Sequence, residues 1–446
     1  MSLCCTQGFF YEKKLGEITC FIYFSLPTLL LIMTDNDTAK TSRNVIFLVL
    51  VASLGYFVDI YDLLVFSIVR KASLHDIGVA DADILSKGQF IINVQMFGLL
   101  LGGIVWGIIG DKLGRIKVLF GSILLYSVAN FANGLVHDVN TYALIRFIAG
   151  IGLAGELGAG ITLVTETLSK EKRGYGTMIV AVIGLFGAAA AYAVATYGWR
   201  NAYFVGGGLG VLLLLLRLGT FESGMFKTME QSNASKGNFF MLFTNFDRLK
   251  KYLYCILIGA PLWYVVGVLV TLSPEFGKAL GAQTPLSAGE GILYTYIGIS
   301  IGDIVAGLLA QITKSRKLTM TVFLTVSIVT SFIYLGSSGI THNHFVWICF
   351  FMGCSVGYWA TFVTIAAEQF GTNIRATVTT TVPNFVRGSL IPINIAFNAL
   401  VVHYGMVRSG YIMMIILTLI SLFSLSQLNE TFGKDLNYIE EEAGVI

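Results

Sequence analysis

Twelve apolar runs, each close to the ~20 residues an α-helix needs to cross a hydrocarbon core, dominate the sequence and leave little else from which to build a fold. They fall at about 44–70, 88–110, 117–136, 141–164, 175–197 and 199–218. After a polar stretch from Thr220 to Lys251 they resume at about 252–272, 289–311, 318–337, 345–367, 378–402 and 409–428. Of 446 residues, 55% are hydrophobic and only 12% charged, about half the charge of a soluble domain. A membrane-spanning barrel would alternate apolar and polar residues, which these continuous runs do not do. The expected fold class is therefore all-α, a polytopic membrane protein of 12 transmembrane helices in two six-helix halves.

The division that follows is an N-terminal segment over 1–43, a first bundle over 44–218, a cytoplasmic linker over 219–251, a second bundle over 252–428 and a cytoplasmic tail over 429–446. The linker carries Glu222, Lys227, Glu230, Ser232, Asn233, Ser235 and Lys236, too polar to bury a core of its own. Residues 1–32 hold an apolar run that is short for a span and lacks a small-residue cleavage site. A second methionine, Met33, opens the polar lead into the first clear span, so translation is expected to begin there.

Basic residues near span ends stay on the cytoplasmic side. With both termini inside, about 19 of them lie in cytoplasmic segments and about 6 outside, and the groups at Lys112, Lys170, Arg248 and Lys314 share one face. A net charge of +3 sorted in this way offers no basic domain to a nucleic acid. The six cysteines, at 4, 5, 20, 255, 349 and 354, lack the paired spacings of a zinc site or a disulfide framework.

The halves repeat. Gly102, Gly107 and Lys117 recur as Gly302, Gly307 and Lys317, and Glu166 with Arg173 recurs as Glu368 with Arg375. Duplicated halves place a binding site between them near mid-membrane.

The loop after the second span, with Gly107, Gly110, Asp111, Lys112, Gly114, Arg115 and Lys117, resembles the signature loop of the major facilitator superfamily. Arg146 with Gly150, Gly152 and Gly155, the Gly198, Trp199 and Arg200 triplet, and the Glu166 to Arg173 segment fit the same family. The resemblance covers about 44–428 and implies two six-helix bundles rocking about a central cavity. It also implies a cytoplasmic latch in which Asp111 faces the start of the eleventh span and Arg115 pairs with Glu166. Loop charges that only fix topology are the alternative. In the second half Gln311 replaces the acid and Lys314 the glycine, so the latch is expected to be asymmetric. The fifth span has no Gly-Pro pair of the kind usual in the family's antiporters.

An ionisable side chain at mid-bilayer costs ~2.5 kcal/mol or more on insertion scales, so each needs a partner, a wet cavity or a task. Six stand out: Asp59, Asp62, Arg146, Glu156, Asp303 and Arg387. Asp59 and Asp62 share a helical face with Tyr56 and Phe66, and two close carboxylates are candidate proton carriers. Asp62 with Arg146 resembles the Asp/Arg proton switch of proton-coupled sugar carriers in this superfamily; a permanent structural pair is the other reading. The Asp59 and Asp62 spacing also resembles the first-span acid motif of aromatic-acid and organic-acid symporters. Glu156 is either a second proton site or structural.

Asn384, Arg387, Asn394 and Asn398 fall on one arc of the eleventh span, a polar stripe expected to face something wet. Tyr296 and Asp303 share a face of the eighth, and Asp303 is expected to pair with Arg387 when the site is empty. A planar guanidinium grips carboxylate or phosphate through two parallel hydrogen bonds, which favours an anionic substrate. Tyr296, Tyr358 and Trp359, with Tyr264, are candidate aromatic contacts. A Gly150, Gly152, Gly155 pattern matches the dinucleotide fingerprint only literally, since it lies within an apolar span. The five histidines fall at the predicted outer face, where solvated loop positions explain them.

The leading expectation is a secondary transporter of the inner (cytoplasmic) membrane that takes up a small polar metabolite, an organic anion or sugar-like compound, by symport with a proton. It would work as a monomer in the lipid bilayer and without a cofactor, metal or enzymatic activity. The alternatives are a proton-antiporting exporter and a transporter-like sensor that signals without flux.

Overall fold

The computed structural model describes residues 39–168, 173–219 and 239–434, so the Met33 start and most of the N-terminal segment lie outside the described residues. All regular elements among the described residues are helical. Eleven helices are long and apolar enough to cross a membrane. The fifth span departs from the expectation of twelve continuous helices, because it consists of two shorter ones, Arg173–Leu185 and Gly187–Ala195. The interruption falls where Gly187 packs against the carbonyl of Phe57 in the first span, an approach that only a residue without a Cβ permits.

Interruptions recur at related places. The fourth span is Val139–Leu153 followed by Glu156–Thr167, and its counterpart in the second half, the tenth, is His342–Val356 followed by Trp359–Glu368. The seventh runs Phe246–Leu257, Ala260–Tyr264 and a π-helical turn over Val265–Val270, a geometry that proteins use mainly at functional positions. The eleventh is divided at Ser389 into Thr372–Gly388 and Leu390–Tyr404. With the fifth, five spans are divided among the described residues.

The outer surface is apolar, with Leu124, Val128, Leu144, Leu215, Ile395, Val402, Leu419 and Phe423 exposed around the girdle where hydrocarbon would lie. All six intramembrane charges singled out in the sequence face inward instead: Asp59, Asp62, Arg146 and Arg387 are fully buried and Glu156 and Asp303 nearly so.

The signature loop shows why its sequence is constrained. Gly114 joins the second span (Ile84–Leu113) to the third (Arg115–Asn133) at φ 97°, a conformation closed to side chains. In the second half Lys314 holds the corresponding turn at φ 49°, the single non-glycine residue with positive φ among the described residues. A left-handed lysine is strained by ~1–2 kcal/mol, and the segment that follows the last span braces the turn. Glu430 accepts hydrogen bonds from the Ser315 hydroxyl and the backbone N–H groups of Arg316 and Lys317, and the Lys317 ammonium donates to the carbonyls of Ser426 and Leu428.

Partial burial raises the Glu430 carboxyl, but hydrogen bonds from Ser315, Phe432, Arg316 and Lys317 outweigh it and hold the group down at about 2. A depressed carboxyl contributes stability above its unfolded value near 4.5, and that contribution fades as pH falls from there through about 2. Glu430→Gln is therefore expected to melt below wild type at pH 7, with the difference closing as pH is lowered across that window. An unchanged gap would remove the carboxylate from this brace.

Candidate functional site

The first span (Ala39–Asp76) runs through the middle of the molecule and presents acids at successive turns. Asp62 receives Arg146 from the fourth span: Nη1 donates to its Oδ1 at 2.8 Å and Nη2 to its backbone carbonyl at 2.8 Å. The Arg146 Nε donates to Gln95 of the second span at 3.3 Å, and the guanidinium lies 5.6 Å from the Tyr203 ring centre. All these groups belong to the first bundle, so the Asp62–Arg146 pair inferred from the sequence exists and does not cross between halves.

Asp59, one turn away, faces the other bundle. Its Oδ2 accepts from Nη2 of Arg387 at 3.1 Å. The expected Asp303–Arg387 pair is therefore not formed. Asp303 instead accepts the backbone N–H of Ala360 at 3.0 Å, at the start of the second piece of the broken tenth span. The break exposes N–H groups that need an acceptor, and a carboxylate at a helix N-terminus is the favoured one. Asp59 and Asp62 are thus each held by a different arginine.

Arg387 lines a small cavity between the halves with Tyr56, Ile60, Leu185, Leu262, Trp263, Tyr296, Ile299 and Trp359. Its guanidinium carbon lies 6.0 Å from the Trp263 ring centre and 5.8 Å from that of Trp359, within cation–π range. Nε and Nη1 have no hydrogen-bond partner among the described residues. The cavity, of about 20 Å³, has room for about one water. Tyr296 and Trp359 thus stand where the sequence reading put them, whereas the Tyr358 ring packs edge-on against Phe323, away from the cavity wall. Tyr56, Ile60, Leu185, Leu262, Trp263 and Ile299 are wall residues that the sequence reading did not assign to substrate.

The polar stripe of the eleventh span faces the opposite bundle rather than a wet space. Asn384 donates to the carbonyls of Ala154, at the break in the fourth span, and of Thr380. Asn394 donates to Asn93 at 2.8 Å, and Asn398 exchanges hydrogen bonds with Gln89. The Asn394 and Asn398 contacts join the halves at the end opposite the signature loop. There Arg70, 1% exposed, also grips both carboxylate oxygens of Glu275 at 2.8 and 3.0 Å.

At the signature-loop end the halves meet through Gly107 beside Thr377 and Gly158 against Thr380. Among the described residues the halves are thus in contact on both sides of the cavity. The side chains of Asp111, Arg115, Glu166 and Arg173 lie outside the described residues. Glu368 pairs with Arg316 at 3.3 Å, and Arg375 donates to the carbonyls of Ala367 and Phe370.

Glu156 opens the second piece of the fourth span and forms a bidentate ion pair with Arg217, which follows the sixth span (Trp199–Leu216). Both residues are 1% exposed. Arg217 escaped the sequence reading because a lone arginine after six apolar residues looks like a span end; the available signal was the unpartnered Glu156 within the same half.

A bundle of inward-facing ion pairs around a closed central cavity, with no binding domain outside the membrane helices among the described residues, defines a polytopic membrane protein whose chemistry lies between two halves. Residues 45–391 match the family model of the Major Facilitator Superfamily, and the chain belongs to that family. It is 22% identical over 367 residues to the niacin transporter NiaP of Acinetobacter baylyi, a match spanning 73% of this chain and 80% of that protein. It is 28% identical over 267 residues to the 3-(3-hydroxy-phenyl)propionate transporter of Escherichia coli, where the match spans 58% of this chain and 64% of that protein, less than two-thirds of its length. The fold is similar to that of the proton:xylose symporter XylE, with a TM-score of 0.67 at 16% identity over 89% of this chain and 98% of that one. Nothing in this family membership is enzymatic.

Proposed function

We propose that the protein is a secondary transporter that takes up a small organic anion together with a proton by alternating access, with the signature-loop end facing the cytoplasm. The observation that carries this reading is the bond between Asp59 and Nη2 of Arg387. A guanidinium offers two forks to a carboxylate, one from Nε and Nη2 and one from Nη1 and Nη2. Both include Nη2. Each fork uses a different N–H of Nη2, so Asp59 takes one of them and, by its charge, neutralises the guanidinium that the other would present to an anion; protonation of Asp59 releases both. Proton and anion would then enter the closed state together, which is symport.

The aromatic walls suit a carboxylate carried on a small ring or an alkyl stem. Two of the relatives are named as transporters of such acids. The basic residues at the signature-loop end supply the orientation.

The test is uptake by the full-length protein in liposomes with an alkaline interior, using labelled nicotinate, 3-hydroxyphenylpropionate and gluconate, with protein-free liposomes as the baseline. At least one should accumulate and be released by a protonophore; no accumulation above the baseline for any of them would overturn the reading. For whichever accumulates, Arg387→Lys keeps the charge and loses the forks. Losing one charge-assisted hydrogen bond of ~1.5 kcal/mol should weaken apparent affinity about tenfold. Unchanged affinity would place anion recognition elsewhere.

A further inference from the structure

Arg387 has a counterpart farther along the first span. Arg70 is 1% exposed, and its Nη2 alone donates to the acid of the opposite half, at 2.8 and 3.0 Å to the two oxygens of Glu275, and at 3.4 Å to the carbonyl of Thr271. Nε and Nη1 are buried and have no hydrogen-bond partner among the described residues. Asp59 holds Arg387 in the same way: one acid from across the interface, bonded through Nη2, with Nε and Nη1 left over. A guanidinium that served only to tie the halves would cost less with all its donors satisfied, because each one buried without a partner loses free energy.

The second span makes room for this side chain. A Cβ at Gly88 would meet Cδ of Arg70 at 2.5 Å and Cγ at 3.0 Å, so the stem lies in a slot that any residue but glycine would fill. Beside the arginine is a second small void, of about 10 Å³. Its walls include Ser67, one turn earlier on the first span, Val266 and Gly267 of the π-helical turn, Thr271 and Trp263. Trp263 is also a wall of the Arg387 cavity. The two voids thus share one indole, and Thr271, on the far side of the second, gives its carbonyl to Arg70. Asp59 and Arg70 are eleven residues apart on one helix, ~16 Å along its axis, too far for one small acid to reach both arginines.

We propose that Arg70 is a second anion subsite, which takes the carboxylate of the incoming solute when Glu275 withdraws and hands it past Trp263 to Arg387. This rests on the anion reading above. Arg70 belongs to the first half and Glu275 to the second, so parting of the halves at this end separates them and uncovers both forks of Arg70. An incoming carboxylate then accepts two parallel N–H bonds in place of Glu275. When the halves come together again, Glu275 returns to Nη2 and competes the anion off, so the solute is not trapped at the mouth and moves on to the central site. Glu275 thus does at the entrance what Asp59 does at the centre, without taking up a proton.

The test does not depend on which anion is carried. Ser67→Cys puts a thiol in the void beside Arg70 of the full-length protein, and its modification rate is compared for two methanethiosulfonate reagents of similar size, one bearing a sulfonate and one a trimethylammonium group. Peptide mass reads the introduced thiol apart from the native cysteines. Loosening the contact between the halves changes both rates alike and cancels in their ratio; loss of an anion subsite lowers the ratio. Arg70→Lys keeps the charge and loses the forks, so the sulfonate-to-ammonium ratio should fall about tenfold, the worth of one charge-assisted hydrogen bond. Glu275→Gln removes the competitor and should raise the ratio while speeding both reagents. An unchanged ratio in Arg70→Lys, or a Glu275→Gln variant in which both rates rise in proportion, would reduce the pair to a tie between the halves and overturn the subsite. So would a thiol that neither reagent reaches in any of these proteins. Were the ratio to behave as expected in a protein that accumulates none of the three acids in liposomes, the subsite would stand and the symport reading would fall.

Discussion

Liposomes carrying Asp59→Asn are expected to lose proton-driven accumulation and to retain exchange of the same solute across the membrane. Asparagine keeps an oxygen in place to accept from Nη2 of Arg387, 3.1 Å away in the native pair, and it occupies the same volume, so the fully buried site is not left with a hole. It cannot ionise. The variant is thus fixed in the electrical state that a protonated Asp59 visits only transiently, and the anion competes for Arg387 against a neutral amide instead of a charge. Each unit of pH difference supplies about 1.36 kcal/mol per proton. A one-proton symporter of a monoanion should therefore concentrate its substrate about tenfold per pH unit. In Asp59→Asn the ratio should fall to about one at any imposed gradient, with counterflow intact. Accumulation at the wild-type ratio would transfer the coupling role to another acid, Asp62 being the next candidate.

The fold was legible because membrane insertion leaves few options. Runs of apolar residues near span length cannot be strands of a barrel, which leaves a helical membrane protein. Where the helices break was not legible. Gly155 and Gly357 look like residues that let helices approach, and they are, since Gly155 packs on Ser122 and Trp106 and Gly357 on Gly302. The same glycines sit where the fourth and tenth spans divide, and hydrophobicity alone does not distinguish a continuous apolar helix from an interrupted one.

The site was legible to the extent that it depends on one helix. Spacing put Asp59, Tyr56 and Asp62 on related faces, and the stripe from Asn384 to Asn398 does lie on one side of its span. What faces that side is decided by the opposite bundle. Depth along the helices suggested Asp303 for Arg387, but Asp303 is drawn to the N–H groups freed at the tenth-span break, and Asp59 approaches from the other half. The asparagines of the stripe expected to face something wet make hydrogen bonds to Asn93, Gln89 and the Ala154 carbonyl. Each is a contact between residues some 230 to 309 positions apart, beyond the reach of any local pattern.

Replacing Arg146 with methionine is expected to destabilise the fold by about 3–5 kcal/mol, the usual consequence of stripping one partner from a buried ion pair. The guanidinium donates to one Asp62 carboxylate oxygen, to the Asp62 carbonyl and to Gln95, and both residues are buried. The double variant Asp62→Leu with Arg146→Met removes both charges together and should recover most of that loss, because two charges taken out of water are replaced by apolar contact. Equilibrium unfolding in mixed detergent micelles measures both. The comparison separates the two roles that the sequence left open for this pair. The Asp62–Arg146 pair lies wholly inside the first bundle, so rocking of one half against the other neither makes nor breaks it, whereas the Asp59–Arg387 pair spans the moving interface. A double variant that folds at near wild-type stability and still accumulates substrate would establish Asp62 and Arg146 as scaffolding for the first span. One that folds but only exchanges would make Asp62 a second titrating site beside Asp59. An Arg146→Met variant within 1 kcal/mol of wild type, well short of the ~3 kcal/mol minimum for an unpaired buried carboxylate, would show that water reaches Asp62.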